Sequence, residues 1–253
     1  MRSRTTSGGR SSAAPSSTVS TTSTLRCYAA MRRRLYLMRH AEVSYLGERD
    51  PEVVRLTERG LEQAGAARRA LEDVAFDLVV TSTLPRTVET ADVVAPDVEA
   101  ERWDDLAEWR GGRLTEIPPE ELERAFLGAL LIRDEGERFM GGESLGEALD
   151  RVLPAFDRLV AREWDTALAV LHGGVNRILI SRALTGERRY FGNFEQAPAC
   201  INVLDLGPER DGTAGWVVRT VNYIPYDPLH PARTTTMEQY WDELQGWFDR
   251  RAG

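Results

Sequence analysis

Four side chains in this sequence have the chemistry to hold an anion, and three short segments carry them. "LYLMRH" (35–40) is an apolar run that ends on Arg39 and His40. "VVTSTLPRT" (79–87) follows another apolar run with Arg86, and "AVLHGG" (169–174) ends on His172 and two glycines. Two of the chain's three histidines therefore close apolar runs. Guanidinium groups are planar, permanently charged forks suited to oxyanions, with phosphate the usual guest. The fixed positive charge of the arginines disfavours a metal cation between them, and no H-E-x-x-H or similar ligand spacing occurs. A small anionic ligand is expected, and no metal.

Such residues meet only if the runs that carry them are neighbouring strands. The patterning predicts this. After the first strand, "LTERGLEQAGAARRALEDV" (56–74) reads as an amphipathic helix capped by Thr57, and "FDLVVTS" (76–82) as a second strand. "TLPRTVETADVVA" (83–95) follows as a helix with Thr83 near its cap and Pro85 in its first turn, where a missing N–H costs nothing. A long helix spans 143–164, in which Pro154 demands a kink or a restart. "TALAVLHGG" (166–174) is a third central strand, and a helix runs over 175–186. "ACINVLDL" and "WVVRTVNYI" are adjacent strands, and "MEQYWDELQGWFDR" (237–250) is a terminal helix.

Strands alternating with helices predict an α/β fold. It is a three-layer sandwich with a mostly parallel central sheet and helices on both faces. Ligands of open α/β sheets bind beyond the carboxyl ends of the strands, so Arg39, His40, Arg86 and His172 share one rim. Helix N-termini there add N–H donors and a positive dipole end. The irregular stretch 98–142, with Pro118-Pro119 and a helix at 119–132, is too long for a simple connection and is expected to be a cap or lid.

The totals exclude several classes. At 253 residues the chain can bury a substantial core, and no apolar stretch approaches the ~20 residues of a membrane span. A net charge of −8 argues against nonspecific nucleic-acid binding. All 32 basic residues are arginine, so neither a Schiff-base lysine nor a P-loop lysine exists. Cys27 and Cys200 are far apart, which excludes a disulfide framework and makes a reducing, cytoplasmic setting the default. Residues 1–34 form a Ser/Thr/Arg-rich leader with seven arginines and no acid. Such a composition is expected to be disordered or an extension read upstream of a true start at Met31; an organelle transit peptide is the rival. Residues 35–253 are expected to form a single domain.

At this point a resemblance enters. "LMRHAE" (37–42), "LTERGLEQA" (56–64), "VVTSTLPRTVETA" (79–91), "LAEW" (106–109), "GGESLGEALDRV" (141–152) and "AVLHGGVNRILI" (169–180) resemble, in order, the histidine phosphatase superfamily, also called phosphoglycerate-mutase-like. The resemblance implies that His40 is a nucleophile forming a phosphohistidine. It implies that Arg39, Arg86 and His172 hold the phosphoryl oxygens with the backbone N–H of Gly173, and that Glu108 is the proton donor and later the base. No metal or organic cofactor is implied. The acids Asp104, Asp105 and Glu116 lie close to Glu108 and compete with it for that role, and Arg86 has a possible helix partner in Glu89. His230 reads as a loop residue.

The sequence also departs from the family's pattern. Ala41 stands where many relatives have glycine, and Val43 and Leu46 where many have a threonine and an asparagine that help grip phosphate. Ser44 and Tyr45 are candidates to compensate, and Arg110, Arg113, Tyr45, Tyr190 and Phe191 to line the mouth of the site. The leading function is a phosphomonoesterase acting on a small phosphorylated metabolite. A cofactor-primed phosphoglycerate mutase is second, because the segments with which mutases enclose phosphoglycerate are missing. A noncatalytic anion receptor is third. The oligomeric state is not legible.

Overall fold

The computed structural model describes residues 32–46, 50–112, 117–128, 131–208 and 214–252. Nearly all of the leader, together with Arg113 and Glu116, lies outside the described residues.

Six strands form one mixed sheet: β1 (Arg33–Arg39), β2 (Leu78–Thr81), β3 (Glu101–Arg102), β4 (Thr166–Leu171), β5 (Ile201–Pro208) and β6 (Ala214–Tyr223), in the order β3-β2-β4-β1-β5-β6. The β3-β2, β2-β4 and β4-β1 pairings are parallel, and β5 and β6 add antiparallel strands at the β1 side. β2 and β4 are buried almost throughout, as expected of short apolar runs covered on both faces.

Six helices appear among the described residues: α1 (Glu58–Ala70), α2 (Pro85–Val94), α3 (Pro119–Leu127), α4 (Leu145–Ala161), α5 (Gly173–Thr185) and α6 (Thr236–Ala252). Successive residues of a strand point to opposite faces, and the core divides accordingly. Leu35 and Leu37 pack with α4 and α5 through Leu149, Phe156, Ile178 and Leu179. Met38, Val79, Leu168 and Val170 pack on the other face with α1 and α2 through Ala64, Ala67 and Ala91. The expected three-layer sandwich is what the chain builds.

Local signals explain most boundaries. Thr57 caps α1 by accepting the N–H of Gly60, and a capping box at Ser144 and Glu147 starts α4. That helix continues as one element through Pro154. Two boundaries differ from expectation. The cap of α2 is Leu84, without a side-chain hydrogen bond, because the Thr83 hydroxyl donates to Asp104 instead. The third strand stops at Leu171, and the glycines after His172 are the first residues of α5 rather than a strand end or turn. The stretch 98–142 holds β3, a 3-10 turn at Asp104–Leu106, α3, and a second 3-10 turn at Phe139–Gly141.

Candidate active site

Parallel register brings the three segments together. Arg39 lies opposite Leu171, and Val170 opposite Thr81, so the residues just past the strands, His40, His172 and Ser82, emerge side by side. Neighbouring strands are ~4.8 Å apart, which sets the scale of the site. The His40 and His172 rings stand with centroids 5.3 Å apart and an interplanar angle of 64°. Arg86 reaches the same place from the first turn of α2. All four are buried: His172 is 0% exposed, His40 1%, Arg86 3% and Arg39 7%.

His40 has a defined tautomer. Its Nδ1 is 2.8 Å from the carbonyl oxygen of Ala41. A carbonyl only accepts, so Nδ1 carries the proton and Nε2 presents a lone pair. Burial, then the charges of Arg86 and Arg39, hold the imidazole neutral by lowering its pKa well below 6.5. His172 is lowered likewise by burial, Arg86, His40, Arg39 and Arg151. Its Nε2 is 2.8 Å from the Ser82 hydroxyl, which lies 2.9 Å from Thr87 Oγ1. Thr87 spends its own proton on the Leu84 carbonyl, leaving its oxygen free to accept.

The segment after His40 is pinned to α1. Glu42 N–H donates to Gln63 Oε1, and Thr57 donates to Glu42 through both its N–H and its hydroxyl. A Cβ on Gly60 would sit 2.2 Å from the Glu42 carbonyl oxygen, so only glycine permits this approach.

Glu108 lies at the start of α5. Its carboxylate accepts the N–H of Trp109 at 2.9 Å and that of Gly174 at 3.2 Å. A Cβ on Gly174 would stand 2.8 Å from Glu108 Oε1, so the second residue of the helix is best left without one. Arg151 holds the Glu108 segment from behind, donating to the carbonyls of Asp105 and Ala107 while paired with Glu143 at 2.8 Å. The competing acids are engaged elsewhere: Asp104 with Thr83, Asp105 with Arg158. Glu89 is taken by Arg55 and the Leu56 N–H, so it is not the partner of Arg86.

Three nitrogens of this cluster are buried without a hydrogen-bond partner among the described residues: Arg39 Nε, Arg86 Nε and His172 Nδ1. Both guanidiniums are held by their far ends. Arg39 donates through Nη1 to the Gln196 carbonyl at 2.5 Å, and Arg86 through Nη1 to Pro51 O at 2.9 Å. An orphaned buried donor costs about 1–3 kcal/mol, and two guanidinium N–H groups beside an unpartnered ring nitrogen and an imidazole lone pair suit a multidentate anion.

A profile of the histidine phosphatase superfamily (branch 1) matches residues 35–221. The chain belongs to this superfamily. It is 28% identical over 213 residues to a probable 2-carboxy-D-arabinitol-1-phosphatase of Arabidopsis thaliana, covering 78% of this chain and 43% of that protein. It is also 28% identical over 195 residues to phosphoserine phosphatase 1 of Hydrogenobacter thermophilus, covering 70% and 89%. Among solved structures, a mycobacterial glucosyl-3-phosphoglycerate phosphatase superposes with a TM-score of 0.60 at 25% identity, covering 75% of this chain and 99% of that one. The chain spans less than half the length of the carboxyarabinitol phosphatases it matches.

Within this histidine phosphatase fold, Val43 is buried and bridged to Leu56, so it offers nothing to an anion. Tyr45 does reach the site, its ring 6.0 Å from the Arg86 guanidinium. Of the other expected mouth residues, Tyr190 is buried against Trp109, and Arg110 turns to Asp104 at 3.7 Å. His230 sits in an exposed loop. Sequence reasoning passed over Tyr240, whose hydroxyl is 3.5 Å from Arg39 Nη2, and the structural partners Gln196 and Arg151. Ser82 was visible only as a letter of the segment "VVTSTLPRTVETA". No helix among the described residues is long and apolar enough to cross a membrane.

Proposed function

We propose that the protein is a metal-independent phosphomonoesterase that works through a phosphohistidine at His40 on a small phosphorylated metabolite. The observation that carries the reading is the neutral, buried His40 with its Nε2 lone pair among three unpartnered nitrogens of Arg39, Arg86 and His172.

In the first half-reaction, His40 Nε2 attacks phosphorus and the P–O bond to the leaving group breaks. Glu108 gives its proton to the departing oxygen. Arg39 and Arg86 neutralise the phosphoryl oxygens, where charge is spread in the transition state. When the Ser82 hydroxyl turns its proton from Thr87 to His172 Nε2, His172 Nδ1 carries the ring proton and donates to a third oxygen. The N–H of Gly173, at the head of α5, adds a donor and the positive end of the helix. In the second half-reaction, Glu108 takes a proton from water, the water oxygen bonds to phosphorus, and the P–N bond breaks. The lone pair returns to His40 and inorganic phosphate leaves. Two permanent cations at the anion site supply the charge stabilisation that a metal provides elsewhere, which supports metal independence.

The names of similar proteins, phosphatases of a sugar acid phosphate, of phosphoserine and of a glycosylated phosphoglycerate, support a small-molecule substrate. The negative net charge and the free, buried Cys200 support a cytoplasmic enzyme without nucleic-acid partners. The test is hydrolysis of p-nitrophenyl phosphate after chelator treatment, followed by a panel of phosphorylated metabolites. His40→Ala is expected to lose on the order of 10⁴-fold or more of kcat and the acid-labile phosphoprotein. Undiminished turnover in that variant ends the reading, and formation of 2-phosphoglycerate from 3-phosphoglycerate replaces it with a mutase.

A further inference from the structure

Two tyrosines stand over the two arginines of the site. The Tyr240 ring lies 5.9 Å from the guanidinium carbon of Arg39, and the Tyr45 ring 6.0 Å from that of Arg86. The rings meet edge to face with centroids 5.8 Å apart, so they form one aromatic roof. Tyr45 comes from the segment just after His40, while Tyr240 arrives on the second turn of α6, 201 residues away from Arg39 in the chain.

The placement of α6 is tied to the site itself. Thr236, its first residue, donates its hydroxyl to Glu195 at 2.7 Å. The next residue, Gln196, holds Arg39 through its carbonyl. On the outer side, Trp241 meets Phe126 of α3 with ring centroids 5.7 Å apart. The helix is thus clamped between the loop that orients Arg39 and the helix of the 98–142 stretch.

Tyr240 holds a donor in reserve. Its oxygen accepts from Arg39 Nη2 at 3.5 Å. A guanidinium has no acceptor, so the phenol proton must be aimed elsewhere, and among the described residues no protein acceptor takes it. Burial pushes the phenol up to about 12, so the proton stays on throughout the neutral range.

We infer that Tyr240 is a further substrate-binding residue, donating its hydroxyl proton to the anion held by Arg39, and that with Tyr45 it admits only small phosphomonoesters. The inference rests on the reading of this rim as a phosphoryl site. A wider leaving group has to displace the outer leaf of the roof, Tyr45, which is 37% exposed and free to be trimmed without opening the core.

Calorimetric titration with inorganic phosphate tests the donor independently of turnover. Tyr240→Phe keeps the ring and is expected to bind phosphate about tenfold more weakly at unchanged Tm. Binding equal to wild type overturns the donor. Tyr45→Ala tests the roof: kcat/KM for a phosphotyrosyl peptide relative to glycerol phosphate should rise about tenfold. An unchanged ratio overturns it. Wild-type protein that binds phosphate yet hydrolyses no ester sinks the hydrolase reading, and the titration of Tyr240→Phe still decides the donor.

Discussion

The floor of the site and the layer above it are built differently. The floor consists of strand ends in parallel register, backed by α4, which buries eight of its residues, among them Leu149, Val152, Phe156 and Leu159. The layer above has α3, which buries none. Its Phe126 is half-buried and leans on Trp241 of α6, the helix that brings Tyr240 to Arg39, and this pair of helices forms the outer layer, or cover. The floor inherits its rigidity from the same packing that makes the fold, and close-packed interiors do not deform continuously. The cover depends on few contacts, and such elements open locally at low cost. Chemistry placed on the floor can stay constant while the cover varies to suit the substrate.

This contrast can be broken at the floor first. Gly174→Ala places a methyl group 2.8 Å from Glu108 Oε1 and 3.3 Å from Trp109 Cβ. On the proposed role of Glu108 as proton donor, a displacement of about 1 Å costs on the order of 10²-fold in kcat, with KM for p-nitrophenyl phosphate little changed. Wild-type kcat in this variant would mean that Glu108 is not held by the helix start, and that its position belongs to the cover rather than the floor.

The next effect is smaller and is read as stability. Both imidazoles of the floor are held well below their ordinary value of 6.5 by burial and by Arg86. The unfolded chain therefore binds more protons than the folded one as pH drops below 6.5. The stability that depends on neutral imidazoles is complete above that pH and is lost as pH falls toward the folded-state values. Each histidine contributes a slope of up to about 1.4 kcal/mol per pH unit in that window. Carboxylates remain largely ionised between about pH 7.5 and 5.5, so the urea midpoint should fall over this range, and less so in His172→Gln. A flat profile would place the imidazoles in water rather than in the core.

The floor was legible in the sequence down to its residues, whereas of the cover only the helices at 119–127 and 236–252 were, and not which of their side chains face the site. Arg39, His40 and His172 follow apolar runs, and runs buried on both faces must pair, so their ends had to meet. Arg86 was legible because Pro85 marks the first turn of a helix. Thr57 and the Ser144 box announced their helices through capping chemistry. By contrast, the glycines after His172 read as a strand end, although they are helical. The signal that explains Gly174, the approach of Glu108, involves a residue 66 positions away. Thr83 looked like a cap, but Asp104 competes for its hydroxyl. Tyr240 carried no local signal at all. An aromatic residue on an amphipathic helix is ordinarily packing, and only the fold of α6 over Arg39 gives it a site to face.

The smallest effect sharpens the contrast from the side of the cover. Phe126 of α3 meets Trp241 of α6, yet it is only partly withdrawn from water. Truncation of a fully buried leucine, such as Leu149 in α4, removes ~2–5 kcal/mol because a cavity remains that the core cannot close. At Phe126 no closed cavity can form, since the vacated space opens to solvent, and Phe126→Ala should cost about 1 kcal/mol or less. Its consequence belongs to access instead. With the Trp241 contact gone, α6 loses its outer support, and KM for glycerol phosphate should rise a few-fold while kcat, which the floor determines, holds. Urea denaturation and steady-state kinetics on the same preparation separate the two readouts. A stability loss matching that of Leu149→Ala would make α3 part of the core and erase the distinction between floor and cover.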